Sequence, residues 1–205
     1  MNGRTFDPYI GTQYERRKFL VLGESHYANE FLTGEMTPEL MRIRSNFTNC
    51  VMHQYLDFLS DRIRSQRWMN TFTKFSNVLH SQRLSKTIRI QFWESVSFYN
   101  YVQFPVSGPG QSPSKEQFEM SHSPFLQTCL ELKPEMIFIW GFRLRDNLPP
   151  NSFETRIGRD EVTLYYLRAH ENIPCLIVPH PSSRSFNYKI SSTISKYLDQ
   201  FGVKL

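Results

Sequence analysis

Three short runs of this chain, residues 19–22, 136–140 and 175–178, hold almost nothing but apolar side chains, and each stops abruptly, at Gly23, Gly141 and Pro179. A strand with one wet face alternates apolar and polar residues, so a run that is apolar throughout is buried on both faces. Between the runs lie helical patterns. Over residues 38–66, Leu40, Ile43, Phe47, Val51, Tyr55, Phe58 and Ile63 recur every three or four positions or close to it, behind Thr37 as cap and Pro38 in the first turn. A second helix is expected over 68–83. Ser114 with Gln117 forms a capping-box pair that starts a helix running to about Lys133, where Pro134 stops it. Ile190, Ile194, Leu198 and Phe201 mark a last amphipathic helix. Further strands are expected over 95–103, where Val96, Phe98 and Val102 share one parity, and over 162–167. Short buried strands alternating with helices predict an α/β fold of three layers, a parallel sheet between two helical layers.

At 205 residues the chain is read as one domain, 1–205, with 32–90 as a helical insertion after the first strand. Three scattered cysteines, Cys50, Cys129 and Cys175, make neither a metal-type cluster nor a disulfide framework, so a reducing compartment and no metal are expected. No apolar run reaches membrane-span length, and "MNGRTFDPYI" lacks the pattern of a signal peptide. A cytoplasmic or nucleoid-associated monomer without membrane contact is the expectation. The net charge of +5 and a pI near 9.2 point mildly to a polyanionic partner. The 15% aromatic content has two readings, an aromatic core or surfaces for stacking on bases.

In a parallel α/β sheet, ligands bind beyond the carboxyl ends of the strands. Polar residues crowd those ends here: Glu24, Ser25, His26 and Tyr27 after the first run, Asn100 inside "SFYNYVQF", and His180 through Phe186 after "CLIV". Glu24 is a candidate general base or electrostatic stabiliser, and His180 a candidate proton or hydrogen-bond donor. Asn100 offers donor and acceptor on one amide, which suits reading a base edge or satisfying buried backbone. Ser182, Ser183 and Arg184 suit gripping a phosphate, and Phe186 suits a wedge between bases. His26 has a second reading as a hydrogen-bonded structural histidine.

"FLVLGESHY", "SFYNYVQF", "PFLQTCLELKPEMIFIWG" and "CLIVPHPSSRSF", in that order, resemble the uracil-DNA glycosylase superfamily over residues 18–31 and 94–201. The resemblance implies a parallel four-stranded core and cleavage of the N-glycosidic bond of a flipped uracil or modified base in DNA. It places Glu24 and His180 as catalytic residues and Asn100, Tyr27 and Phe31 around the base. His26 stands where the family has proline, and the cluster cysteines of its iron–sulfur branch are absent, so no cofactor is expected. Residues 32–90 have no counterpart in the family; within them Arg64, Arg67 and Trp68 offer a charged, stacking surface for DNA. Two rival readings remain: a non-catalytic nucleic-acid- or protein-binding module on the same fold, and an esterase using Ser25 with His180 as base.

Overall fold

The structure, a computed structural model, describes residues 4–27, 45–108, 110–149, 153–154, 163–168 and 172–203. In chain order the elements are β1 (Tyr9–Ile10), a 3-10 turn (Tyr14–Arg16), β2 (Phe19–Gly23), α1 (Phe47–Leu59), α2 (Met69–Leu79), α3 (Lys86–Glu94) and β3 (Val96–Asn100). There follow α4 (Lys115–Met120), α5 (His122–Leu132), β4 (Met136–Trp140), α6 (Phe142–Arg145), β5 (Phe153–Glu154), β6 (Thr163–Arg168) and β7 (Asn172–Val178). A second 3-10 turn (Tyr188–Ile190) leads into α7 (Ser191–Gln200).

The strands form one mixed sheet in the order β1-β3-β2-β4-β7-β6-β5. Its centre, β3-β2-β4-β7, is parallel, with Phe19 facing Val96 on one side and Met136 on the other. The expectation of a four-stranded, wholly parallel sheet is corrected at both edges. β1 lies antiparallel on β3, and β6 antiparallel on β7 with β5 antiparallel beyond it. Each of β2, β3 and β4 is buried at every position. Successive side chains therefore feed two separate cores. Phe19, Val21, Phe98, Phe138 and Trp140 point to one, packed by α1, α2, α3 and α7. Leu20, Leu22, Tyr99, Ile137 and Ile139 point to the other, packed by α4, α5 and α6.

The first core is dominated by aromatic rings. Phe72 and Phe75 of α2 lie 5.5 and 5.1 Å from Trp140, and Phe75 lies 5.7 Å from Phe138. Much of the chain's aromatic content is thus structural, the plainer of its two readings. These rings also show that the 32–90 segment is no appendage. Its helices α1 and α2, with α3, supply the layer that covers this face of the sheet.

Two helices depart from expectation in their limits, while the expected end at Lys133 is kept. The expected 38–66 helix is described as Phe47–Leu59; residues 38–44 lie outside the described residues, and Asp61 closes the other end at φ +60. The long helix to Lys133 is two helices meeting at Ser121. The Ser114–Gln117 capping box forms with both bonds, and Lys133 ends α5 in the left-handed region. α3 was not expected from sequence; Ser85 caps it by accepting from the Ile88 N–H. Among the described residues, no helix is long and apolar enough to cross a membrane, and the three cysteines are free.

Gly11 fixes the turn between β1 and β2. Its N–H donates to the Val96 carbonyl, and a Cβ there would sit 2.3 Å from the Glu94 carbonyl oxygen. Backbone cannot yield cheaply, so Gly11→Ala is expected to destabilise the fold by about 1–3 kcal/mol or more. Urea denaturation measures this; wild-type stability would contradict the packing.

Candidate functional site at the carboxyl edge of the sheet

β2 connects through α1–α3 to a neighbour on one side, β3, and β4 connects to a neighbour on the other side, β7. The gap between the carboxyl ends of β2 and β4 is therefore the topological switch point of the sheet, where loops part and leave a crevice. Glu24 follows β2, and Arg143 stands in α6 just after β4. They meet across this point in a bidentate pair: Arg143 Nε donates to Glu24 Oε2 at 2.7 Å and Nη2 to Oε1 at 2.5 Å. Arg143 Nη1 donates to Ser112 Oγ in the Pro/Gly loop at 2.5 Å. The Glu24 side chain is 14% exposed and that of Arg143 54%. Hydrogen bonding to Glu24 raises the Arg143 pKa above its ordinary value. Tyr27 adds a smaller effect in the same direction, which puts its phenol beside the pair. Tyr27 itself is 53% exposed.

His180 follows β7 and stands edge-on to the Trp140 ring, 6.0 Å between centroids. Its Nδ1 accepts from the Ser182 backbone N–H at 3.2 Å and lies 2.8 Å from Ser182 Oγ. A backbone N–H can only donate, so in the neutral ring the proton sits on Nε2. No hydrogen-bond partner of Nε2 is present among the described residues. The His180 pKa is lowered, first by burial; Glu24 pulls it up, while Arg143 and Lys74 push it down. These four groups thus share one electrostatic neighbourhood, and at neutral pH His180 presents a neutral N–H donor.

Asn100 is buried and faces Gly23 in the β2–β3 register. A Cβ on Gly23 would fall 2.2 Å from Asn100 Oδ1, so the amide occupies the space the glycine leaves. The Asn100 amide nitrogen lies 3.0 Å from His26 Nδ1, and His26 Nε2 is 2.9 Å from Thr48 Oγ1. His26 is itself buried between Phe6 and Phe47, both edge-on at 4.8 and 4.7 Å. It fits the reading as a hydrogen-bonded structural histidine, with Asn100 on one ring nitrogen and Thr48 on the other. Asn100 is accordingly a held amide rather than a freely presented one.

The loop after β7 requires two corrections. Phe186 is fully buried, stacked 6.1 Å from Phe75, so it is a core residue and no exposed wedge. An apolar side chain here gains more from the aromatic layer than from water. Ser182 holds His180 instead of standing ready for a phosphate. Ser183 Oγ pairs with Ser185 Oγ and accepts from the Phe186 N–H, while its carbonyl accepts from Lys74 Nζ at 2.6 Å. Arg184 is exposed, and its side chain makes no ion pair among the described residues. Arg64 and Arg67 are exposed on the connection into α2. Trp68 at its end reaches the site through a chain of edge-on ring contacts: 5.8 Å to Phe72, which lies 5.5 Å from Trp140, the ring beside His180. Phe31 lies outside the described residues.

Sequence reasoning missed Arg143 and Lys74. The signal for Arg143 was its place two residues past Gly141, at the end of an apolar strand; for Lys74, a helix face otherwise apolar, it was slight. Comparisons of the chain with protein-family models and with curated proteins find no match.

Two measurements check this geometry. Because burial holds the folded-state pKa of His180 below its ordinary 6.5, the unfolded chain takes up the proton first. Stability is full above that pH and is lost as pH falls below it. His180→Gln is expected to flatten the acid-side loss between about pH 7 and 5, by up to about one proton in slope; His80, also lowered by burial, keeps its own share. An unchanged slope in urea titrations would place His180 in solvent. Phe186→Ala is expected to cost about 3–5 kcal/mol in stability, the cost of emptying an aromatic core site; a loss under about 1 kcal/mol would return Phe186 to the surface.

Proposed function

We propose that the protein is a glycosylase-like hydrolase that cleaves the N-glycosidic bond of a uracil or modified base flipped out of DNA. The observation that carries this reading is the neutral His180, with its Nε2–H unpartnered among the described residues, sharing the switch-point crevice with the ionised Glu24. In such a cleavage the C1′–N bond breaks, its electron pair leaves with the base, a water oxygen bonds to C1′, and the proton that water gives up ends on the departed base. Negative charge gathers on the base and positive charge on the sugar. His180 donates a hydrogen bond to the base oxygen that gains charge, where a neutral donor spends no ion on a site already cationic. Each Glu24 oxygen keeps a lone pair beyond its bond to Arg143, enough to orient the attacking water. Asn100, held by His26, fixes the base edge, with Tyr27 at the crevice mouth. Lys74, Arg184, Arg64 and Arg67 suit the DNA backbone, with Arg143 near the target phosphates. The uracil-DNA glycosylase-like three-layer architecture, a monomeric state and a cytoplasmic setting belong to the same proposal.

A second reading is favoured by one observation. The bidentate Arg143 already neutralises Glu24, which suits a binding module on this fold that performs no chemistry. An esterase has no such support. Both His26 nitrogens are engaged with Asn100 and Thr48, His180 is turned to Ser182, and no Ser25–histidine hydrogen bond is present among the described residues.

The two supported readings part on one assay. Oligonucleotides carrying uracil, hypoxanthine or modified pyrimidines are incubated with the protein, and abasic sites are revealed by alkaline cleavage. Release is expected with at least one of them, lowered tenfold or more, about 1.4 kcal/mol in barrier, by Glu24→Gln and by His180→Ala, while DNA binding persists. DNA binding with no release from any substrate favours the module. Release unaffected by both substitutions rejects the assigned roles.

A further inference from the structure

A second polar hollow lies at the opposite, amino edge of the sheet. It encloses about 500 Å3 and is lined by Gln13, Arg16, Arg17, Gln91 and Ser95. Arg17 Nη1 is sealed from solvent and has no hydrogen-bond partner among the described residues. Other partly buried arginines of this chain are committed to partners. Arg89 Nη2 donates to the Leu84 carbonyl at 2.6 Å, and Arg4 Nε donates to Asp7 at 3.0 Å. Arg17 makes neither kind of bond among the described residues, and a buried N–H left without a partner is destabilising.

The charge around it deepens the anomaly. Arg16 is the adjacent residue, and its Nη1 donates to Gln13 Oε1 at 2.6 Å. Burial and the Arg16 charge both push the Arg17 pKa down, and Arg17 in turn pushes down that of His80. The acids nearest in sequence are turned elsewhere: Glu15 toward Lys18 at 3.6 Å, and Glu94 accepting from Thr12 Oγ1 at 3.1 Å. None of the lining residues carries a carboxylate.

The hollow is also rigid. Gln13 N–H donates to the Glu94 carbonyl at 2.7 Å, Gly11 N–H to the Val96 carbonyl at 3.0 Å, and Tyr14 Oη to the Leu132 carbonyl at 3.3 Å. Lys18, next to Arg17, is held at φ +49, and its carbonyl accepts from the Glu135 N–H. A non-glycine residue in the left-handed region is strain that the surroundings must hold in place, and such strain gathers at ligand clamps. Arg17 Nη1 is turned inward and Arg16 Nη1 is held by Gln13, so the remaining edges of the two guanidinium groups, with the amides and the Ser95 hydroxyl, form the donor set the hollow can present to an oxyanion.

We propose that this hollow binds a small free molecule through a phosphate group, at a site separate from the carboxyl-edge crevice. The probe is inorganic pyrophosphate, titrated calorimetrically into the full chain, with sodium chloride at matched ionic strength as control. Binding is expected in the wild type and weakened at least tenfold by Arg17→Gln and by the fully exposed-side Arg16→Gln, both checked for folding by circular dichroism. Absence of pyrophosphate binding, equal heats from matched chloride, or binding that survives both hollow substitutions overturns the proposal. So does an Arg17-dependent response to a 5′-phosphorylated oligonucleotide with none to pyrophosphate, which would assign the phosphate to nucleic acid.

Discussion

β2 and β4 are buried at every position, so their own faces have no room for a polar group. Each strand must pass its chemistry to the first residues beyond its end, where the two helical layers no longer meet. Glu24 and Arg143 take that place after adjacent strands, and His180 takes it after the next. The same constraint decides why the layer built by α1, α2 and α3 matters to the site. Its rings reach from Trp68 through Phe72 to Trp140 and so set the floor under His180. A change in that aromatic core moves the imidazole, although no core ring carries reaction chemistry.

The electrostatics of the crevice turn on the Glu24–Arg143 pair. An isolated carboxylate beside a half-buried histidine favours the imidazolium. Here desolvation outweighs that pull, and Arg143 and Lys74 oppose it further, so the His180 pKa lies below its ordinary value. The arginine therefore serves the proton state of His180 as well as the orientation of Glu24. A neutral donor beside a compensated carboxylate is a site with little net charge of its own, framed by exposed cations.

The buried strands were legible because two-sided burial leaves a continuous apolar run, and the Ser114 cap because its chemistry is local. Sheet edges were not. β1 has two residues, and nothing in a strand such as "TLYYL" encodes whether it lies parallel or antiparallel to β7. The helix end near Asp61 was hidden because that residue adopts a left-handed turn that sequence reading assigns to glycine, whereas Pro134 marked the end at Lys133. At the site, position in the chain identified Glu24, Asn100 and His180, but partnership did not follow. His26 and Asn100 meet from 74 residues apart, and Glu24 and Arg143 from 119. Phe186 misled because a lone aromatic in a polar loop has the same sequence signature whether it points out or folds back onto Phe75.

The two edges of the sheet carry opposite solutions to the same problem. At the carboxyl edge the exposed-side arginine, Arg143, is fully matched by Glu24 and Ser112. At the amino edge the less exposed arginine, Arg17, is matched by nothing among the described residues. A strand of five residues spans roughly 17 Å at about 3.3 Å per residue, beyond the screening length in physiological salt. The charge of one edge therefore has little hold on the other. Folding energetics alone would favour the reverse arrangement, with the partner given to the buried cation and the exposed one left to water. The chain instead leaves Arg17 Nη1 unpaired among the described residues beside a pinned turn and gives a carboxylate to an arginine already half in solvent, an arrangement that fold stability does not account for.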